Sequence, residues 1–179
     1  MQAKDILHFW FEELTDKQHF VKDLALDETI RTRFGATLEA AARCELFGWR
    51  ATHGGRLAEI IVLDQFSRNI FRDRPQAFAQ DALALALAQE LVANGQDQLL
   101  NTAERRFAYM PYMHSESPLI HVQAVRLFSQ PGLEDGLSYE LRHKAIIDRF
   151  GRYPHRNGVL GRASTAEETA FLSEPGSSF

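Results

Sequence analysis

Residues 57–71 place apolar side chains on two opposite sides of a helix. At about 100° per residue, Leu57, Ile60, Ile61 and Phe71 form one stripe. Val62, Leu63, Phe66 and Ile70 form a second stripe across the axis. A helix apolar on both sides must be covered from two directions, so this chain has to build a stack of helices around it.

The remaining segments supply the partners. Helical periodicity predicts a first helix over 4–14, a second from Asp27, a plausible N-cap, through Cys44 to Leu46, and the third over 56–71 after the break at His53-Gly54-Gly55. Pro75 is expected to open a helix that runs to Asn94-Gly95. Its Ala82–Ala88 run alternates small and large side chains as a strand would, but alanine and leucine are strong helix formers, so a helix is expected. Further helices fall at 102–113, 118–129 and 137–150, the last closed by Gly151. Thr165 with Glu168 makes a capping box before a short final one. No strand pattern competes. The expectation is an all-α domain of about eight stacked antiparallel helices over 1–179, with a mobile tail at 174–179.

Two polar anomalies interrupt these apolar faces. Asp64 and Arg68 lie on the Leu57–Phe71 stripe, with Gln65, Asn69 and Arg72 alongside. Buried charges cost several kcal/mol each unless paired, so this cluster is either an ion-pair lock between helices or a polar pocket wall. His143 shares its stripe with Tyr139, Ile146, Ile147 and Phe150, and it precedes the densest polar stretch, Arg149 to Gly158. There Gly151 and Pro154 constrain a loop that displays Arg152, His155, Arg156 and Asn157, either to an anion or to helix-end carbonyls.

A third polar group lies in the elbow after Pro111, which is expected to kink or loosen its helix. His114 and Glu116 fall in that elbow, and His121 one turn into the next helix. The histidines lack metal-ligand spacing, and no metal or cofactor is expected.

Charge narrows the partner. The chain carries a net charge of −4, yet residues 142–162 hold six basic side chains against Asp148 alone, a local +5. Overall acidity argues against nucleic acid, whereas a local basic segment suits a small anion or an acidic patch of the same molecule. Sixteen of the 20 basic residues are arginines, whose planar fork suits carboxylate or phosphate. With one cysteine, Cys44, there is no internal disulfide, and no phosphate-binding glycine loop, dinucleotide fingerprint or hydrolase elbow occurs. The start lacks the layout of a signal peptide and no run of about 18 apolar residues occurs, so a cytoplasmic protein without membrane contact is expected.

Four blocks resemble a known family: Ile6–Phe11, Leu63–Arg72, Tyr112–Glu116 and Arg149–Asn157, with Leu160 to Leu172 following in order. They are similar to the bacterial domain-of-unknown-function 924 family, and depart from it mildly at Ser67 and Tyr153. The resemblance implies an all-helical, tetratricopeptide-like fold and supplies no activity or site.

Three functions remain open on the residues. In the first, Asp64, Gln65, Arg68, Asn69, Arg72, His143, Arg152, Arg156 and Asn157 bind a small carboxylate or phosphate. His114 or His155 then serves as acid or base, and Glu116 orients a histidine. The second is a helical-array module that grips a peptide. The third makes the same polar groups a structural ion-pair network.

Overall fold

The computed structural model describes residues 1–177. Among them the chain is all-helical, without strands, and counting continuous rods once gives nine helices, eight of seven residues or more. The first rod is α1 (Ala3–His8), which runs into a π-helical turn at Phe9–Glu13. A short α2 (Asp16–Phe20) and a long α3 (Leu24–Ala42) follow. The two-sided segment is α4 (His53–Ile61), a π-helical turn at Val62–Phe66, and α5 (Ser67–Ile70). Then come α6 (Asp81–Ala93), α7 (Thr102–Met113), α8 (Pro118–Phe128), α9 (Glu134–Phe150) and α10 (Ala166–Leu172).

The α4–α5 rod is the axle of the fold. Every residue from Gly55 to Ser67 is buried, and the rod packs against α1, α3, α6 and α7. On the α1 and α3 side, Phe9, Phe34 and Phe66 pack with ring centroids 4.8 to 6.1 Å apart. On the α6 side, Ala84 and Ala88 are fully buried beside Leu87 and Leu91, so the alternating run is a helix whose small residues let two rods approach. Consecutive helices α6 to α9 pack pairwise, as short connections dictate. A smaller apolar cluster of Ile146, Ile147 and Tyr153, backed by Phe150 and Phe171, joins α9 to α10.

Local signals set most helix ends. Gly151 closes α9 in the left-handed conformation, φ 68°. Thr165 Oγ1 accepts from the Glu168 amide at 3.1 Å while Glu168 Oε2 accepts from the Thr165 amide at 2.7 Å. Pro111 lies inside α7, which continues to Met113. Pro75 opens only a 3₁₀ turn, Pro75–Phe78, and α6 starts at Asp81.

Two expectations are corrected. The N-cap of α3 is Asp23, whose Oδ1 accepts from the Ala25 and Leu26 amides at 2.9 and 3.1 Å; Asp27 lies inside the helix, buried. Cys44 is outside it, because α3 ends in a Schellman turn with Glu45 N–H bonded to Ala40 O and Cys44 at φ 59°. Of the tail, Ser177 is buried and its hydroxyl donates to Leu172 O at 3.2 Å; positions 178 and 179 lie outside the described residues. Among the described residues no helix is long and apolar enough to cross a membrane.

Candidate functional site

A cavity of about 600 Å³ opens where the C-terminal cluster meets the main core. Three remote stretches line it. Gln65, Arg68, Asn69 and Arg72 come from the α4–α5 rod and the turn after it, His114 from the α7–α8 elbow, and His143, His155 and Arg156 from α9 and the loop beyond. Apolar wall is supplied by Phe78, Met110, Met113, Phe128 and Tyr153.

Asp64 sits behind this lining, fully enclosed, on the π-helical turn of the rod. Such a turn widens the hydrogen-bond ladder and re-aims side chains relative to an α-helix. Asp64 Oδ1 accepts from His114 Nδ1 at 2.7 Å and lies 3.1 Å from Arg68 Nη1, while its Oδ2 accepts from Gln65 Nε2 at 2.5 Å. Burial alone would raise the pKa of Asp64, but the Arg68 charge, with the hydrogen bonds from His114 and Gln65, outweighs it and holds the carboxyl well below the usual range. Among the described residues, no hydrogen bond reaches His114 Nε2. Burial, then the Arg68 charge, lowers the pKa of His114 against the pull of Asp64. The imidazole is therefore neutral at pH 7, with its proton on Nδ1 and a lone pair on Nε2.

Arg68 and Arg156 share one counter-ion. Arg68 holds Asp81 with two bonds of 2.9 and 3.0 Å, and its Nη1 also donates to Asp64 O at 2.7 Å. Arg156 reaches the same Asp81 only at 3.4 Å, and donates from Nη2 to His114 O at 3.0 Å. Its Nε is buried without a hydrogen-bond partner. The guanidinium is packed between the Phe78 and Tyr153 rings, 4.6 and 4.5 Å from their centroids. Burial and the neighbouring Arg68 pull its pKa below the ordinary arginine value. Arg156 is a buried cation short of negative charge.

His143 and His155 are also neutral at pH 7. Burial lowers His143 to about 3, and burial with the Arg156 charge lowers His155 to about 4. His143 Nδ1 donates to Tyr139 O at 2.8 Å.

Several residues expected at the site stand elsewhere. Among the described residues Glu116 makes no hydrogen bond to a histidine: both oxygens take Arg162, at 2.6 and 2.9 Å, and Oε1 accepts from the Tyr153 amide at 2.8 Å. The orienting carboxylate is Asp64, which the rod brings against the elbow. Arg152 makes two bonds to Glu168, at 2.6 and 2.8 Å, and fastens the loop to α10. Buried Asn157 bonds Ser164 and Arg162 within that loop. Asn69 and Arg72 line the cavity, yet their polar atoms hold Asp27, at 2.8 Å for Asn69 and 2.6 and 2.7 Å for Arg72.

The +5 segment is thus largely answered within the molecule. Arg149, Arg152, Arg156 and Arg162 pair with Glu167, Glu168, Asp81 and Glu116, all outside it. His121, fully buried, bonds Glu140 at 2.7 Å and Ser115 O at 2.8 Å, well occupied as a packing histidine. Among the described residues no cluster of three metal-ligating groups forms.

Among the described lining residues, imidazoles are groups able to move a proton and arginines are groups able to stabilise negative charge. Three residues that the sequence did not mark also stand at the cavity: Tyr153 and Arg106 in its lining, and Asp81 beside Arg68 and Arg156. Asp81 opens α6, where an acid simply complements the helix dipole, and nothing local marks it as a shared counter-ion.

The family described as bacterial protein of unknown function (DUF924) matches residues 6–176. The chain belongs to that family. The solved structure of a protein of unknown function, ATU0120 from Agrobacterium tumefaciens, is similar to this DUF924 member at 38% identity. It gives a TM-score of 0.91 and covers 96% of each chain. No curated protein matches the sequence.

Proposed function

We propose that the cavity binds a small carboxylate- or phosphate-bearing molecule and that His114, oriented by Asp64, accepts a proton from it or from an adjacent water. The observation that carries this reading is Arg156. It is buried, shares Asp81 with a better-placed Arg68, and has an unsatisfied Nε. An ion-pair network built only for stability gains nothing from a cation left under-neutralised, since such a group costs free energy. An anion in the cavity supplies the missing charge.

His114 fits the second half. A neutral imidazole with Nδ1–H fixed on a carboxylate keeps its Nε2 lone pair directed and available as a base. Arg68 and Arg156 would stabilise the negative charge that forms as the proton leaves. A peptide grip of the tetratricopeptide kind uses an extended concave face. Here the polar groups converge on a cavity of about 600 Å³, within the range of small-molecule sites.

Calorimetric titration of inorganic phosphate and of small carboxylates, at constant ionic strength set with chloride, tests the binding. The wild type is expected to bind at least one of these anions, and Arg156→Met to weaken that binding about tenfold or more, the worth of one charged hydrogen bond. Circular dichroism checks that the variant is folded. Absence of binding by every anion, or an Arg156→Met protein that binds as tightly, overturns the proposal.

A further inference from the structure

We propose that the ligand is a linear dianion with an apolar middle, its second negative group held at the cavity mouth by Arg106. This rests on the anion-binding reading above and names the class of molecule that fits it.

Helix α7 lines the cavity along its length through Arg106, Met110 and Met113, with His114 just beyond. At 1.5 Å per residue, Arg106 stands about 12 Å along the axis from His114. The inner end is the Arg68, Arg156 and His114 group. Between the two ends α7 offers methionine, and the wall of the cavity also includes Phe128. Methionine is flexible and polarisable, and adapts to an apolar chain better than it solvates a charge.

The outer end is cationic again. Lys22 and Arg72 are there but engaged, by Asp73 at 3.2 Å and Asp27 at 2.6 Å. Arg106 differs: among the described residues it makes neither an ion pair nor a hydrogen bond. Its guanidinium carbon rests 4.5 Å from the Phe20 ring centroid, which steadies it without neutralising it. The ring beside it, His19, donates Nε2–H to Trp10 O at 2.8 Å, and burial lowers its pKa, so it adds no cation of its own, while the carboxylate in the lining, Asp73, is held by Lys22 at 3.2 Å. A cation at each end with thioether between them matches a molecule charged at both ends, and a fatty-acid-like monoanion would leave Arg106 unused.

The probes are α,ω-dicarboxylates from succinate to dodecanedioate and monocarboxylates of matching length. They are titrated calorimetrically into wild type and Arg106→Gln at constant ionic strength. Affinity is expected to peak at one intermediate dicarboxylate length, about fivefold above the matched monocarboxylate, as one partly exposed ion pair provides. In Arg106→Gln that dicarboxylate is expected to fall to the level of the monocarboxylate. Dicarboxylates that bind no better than monocarboxylates, or a preference that survives Arg106→Gln, overturn the second anchor and leave the anion site standing. Failure of both series to bind the wild type removes the anion site as well.

Discussion

Asp64 Oδ1 and His114 Nδ1 are 2.7 Å apart, joined across fifty positions of sequence inside the protein. The bond assigns the imidazole tautomer. At pH 7 His114 is expected to carry its proton on Nδ1, which ¹⁵N chemical shifts of the ring report directly. An Nε2-protonated ring would contradict the assignment. Asp64→Asn is expected to cost about 3 kcal/mol in urea unfolding, because it removes one of the two carboxylates that neutralise Arg68 and the acceptor of the His114 Nδ1 proton.

Arg68 and Arg156 touch the same carboxylate, yet their removal is expected to differ. Arg68→Met leaves buried Asp64 and half-buried Asp81 without their main counter-ion and should lose about 3–5 kcal/mol. Arg156→Met removes a cation already under-neutralised, and should cost about 1 kcal/mol or less, or even stabilise. Paired denaturation curves decide this; equal losses would mean that Arg156 is as well compensated as Arg68.

Acid should weaken the fold through two buried histidines. His143 and His155 take up protons near 6.5 when unfolded, but only near 3 and 4 when folded. Between those values the unfolded chain binds more protons, so stability rises with pH. It is complete above pH 6.5 and lost progressively below. At pH 5 each histidine is expected to have cost about 2 kcal/mol relative to pH 7. Denaturation midpoints measured at both values, with His143→Gln as the comparison, provide the check: the variant should show a shallower fall.

Gly55→Ala should be the most damaging small substitution at the start of the axle. A Cβ there collides with the Trp49 carbonyl oxygen and stands 2.9 Å from Thr52 Oγ1, the oxygen that caps the Gly55 amide. Neither neighbour can yield without breaking the cap or the turn before α4, and a loss of about 2–3 kcal/mol is expected in thermal or urea unfolding. Gly54→Ala, where the nearest atom is Leu7 Cδ1 at 3.5 Å, is the tolerated control.

The helices were legible because their determinants are local. Thr165 and Glu168 cap α10 three residues apart, Gly151 closes α9, and the alanine-leucine run of α6 obeys propensity over alternation. Even the misreadings were short-range: Asp23 and Asp27 are both acids near the start of one helix, and only one can cap it. The roles of polar residues were less legible. Asp27 proved to be the acceptor for Arg72, forty-five positions away, and Glu116 the acceptor for Arg162, forty-six away.

From its own order of residues the chain determined an all-helical stack, an axle with two apolar faces, and the three stretches whose polarity the interior would have to accommodate. Tertiary structure alone decided which charge meets which: Asp64 to His114, Asp81 to both arginines, Glu116 to the loop and not the cavity. The reason is range. Helix propensity and capping act within one or two turns of chain, whereas a buried ion pair depends on distances of a few ångströms between groups that only packing brings together.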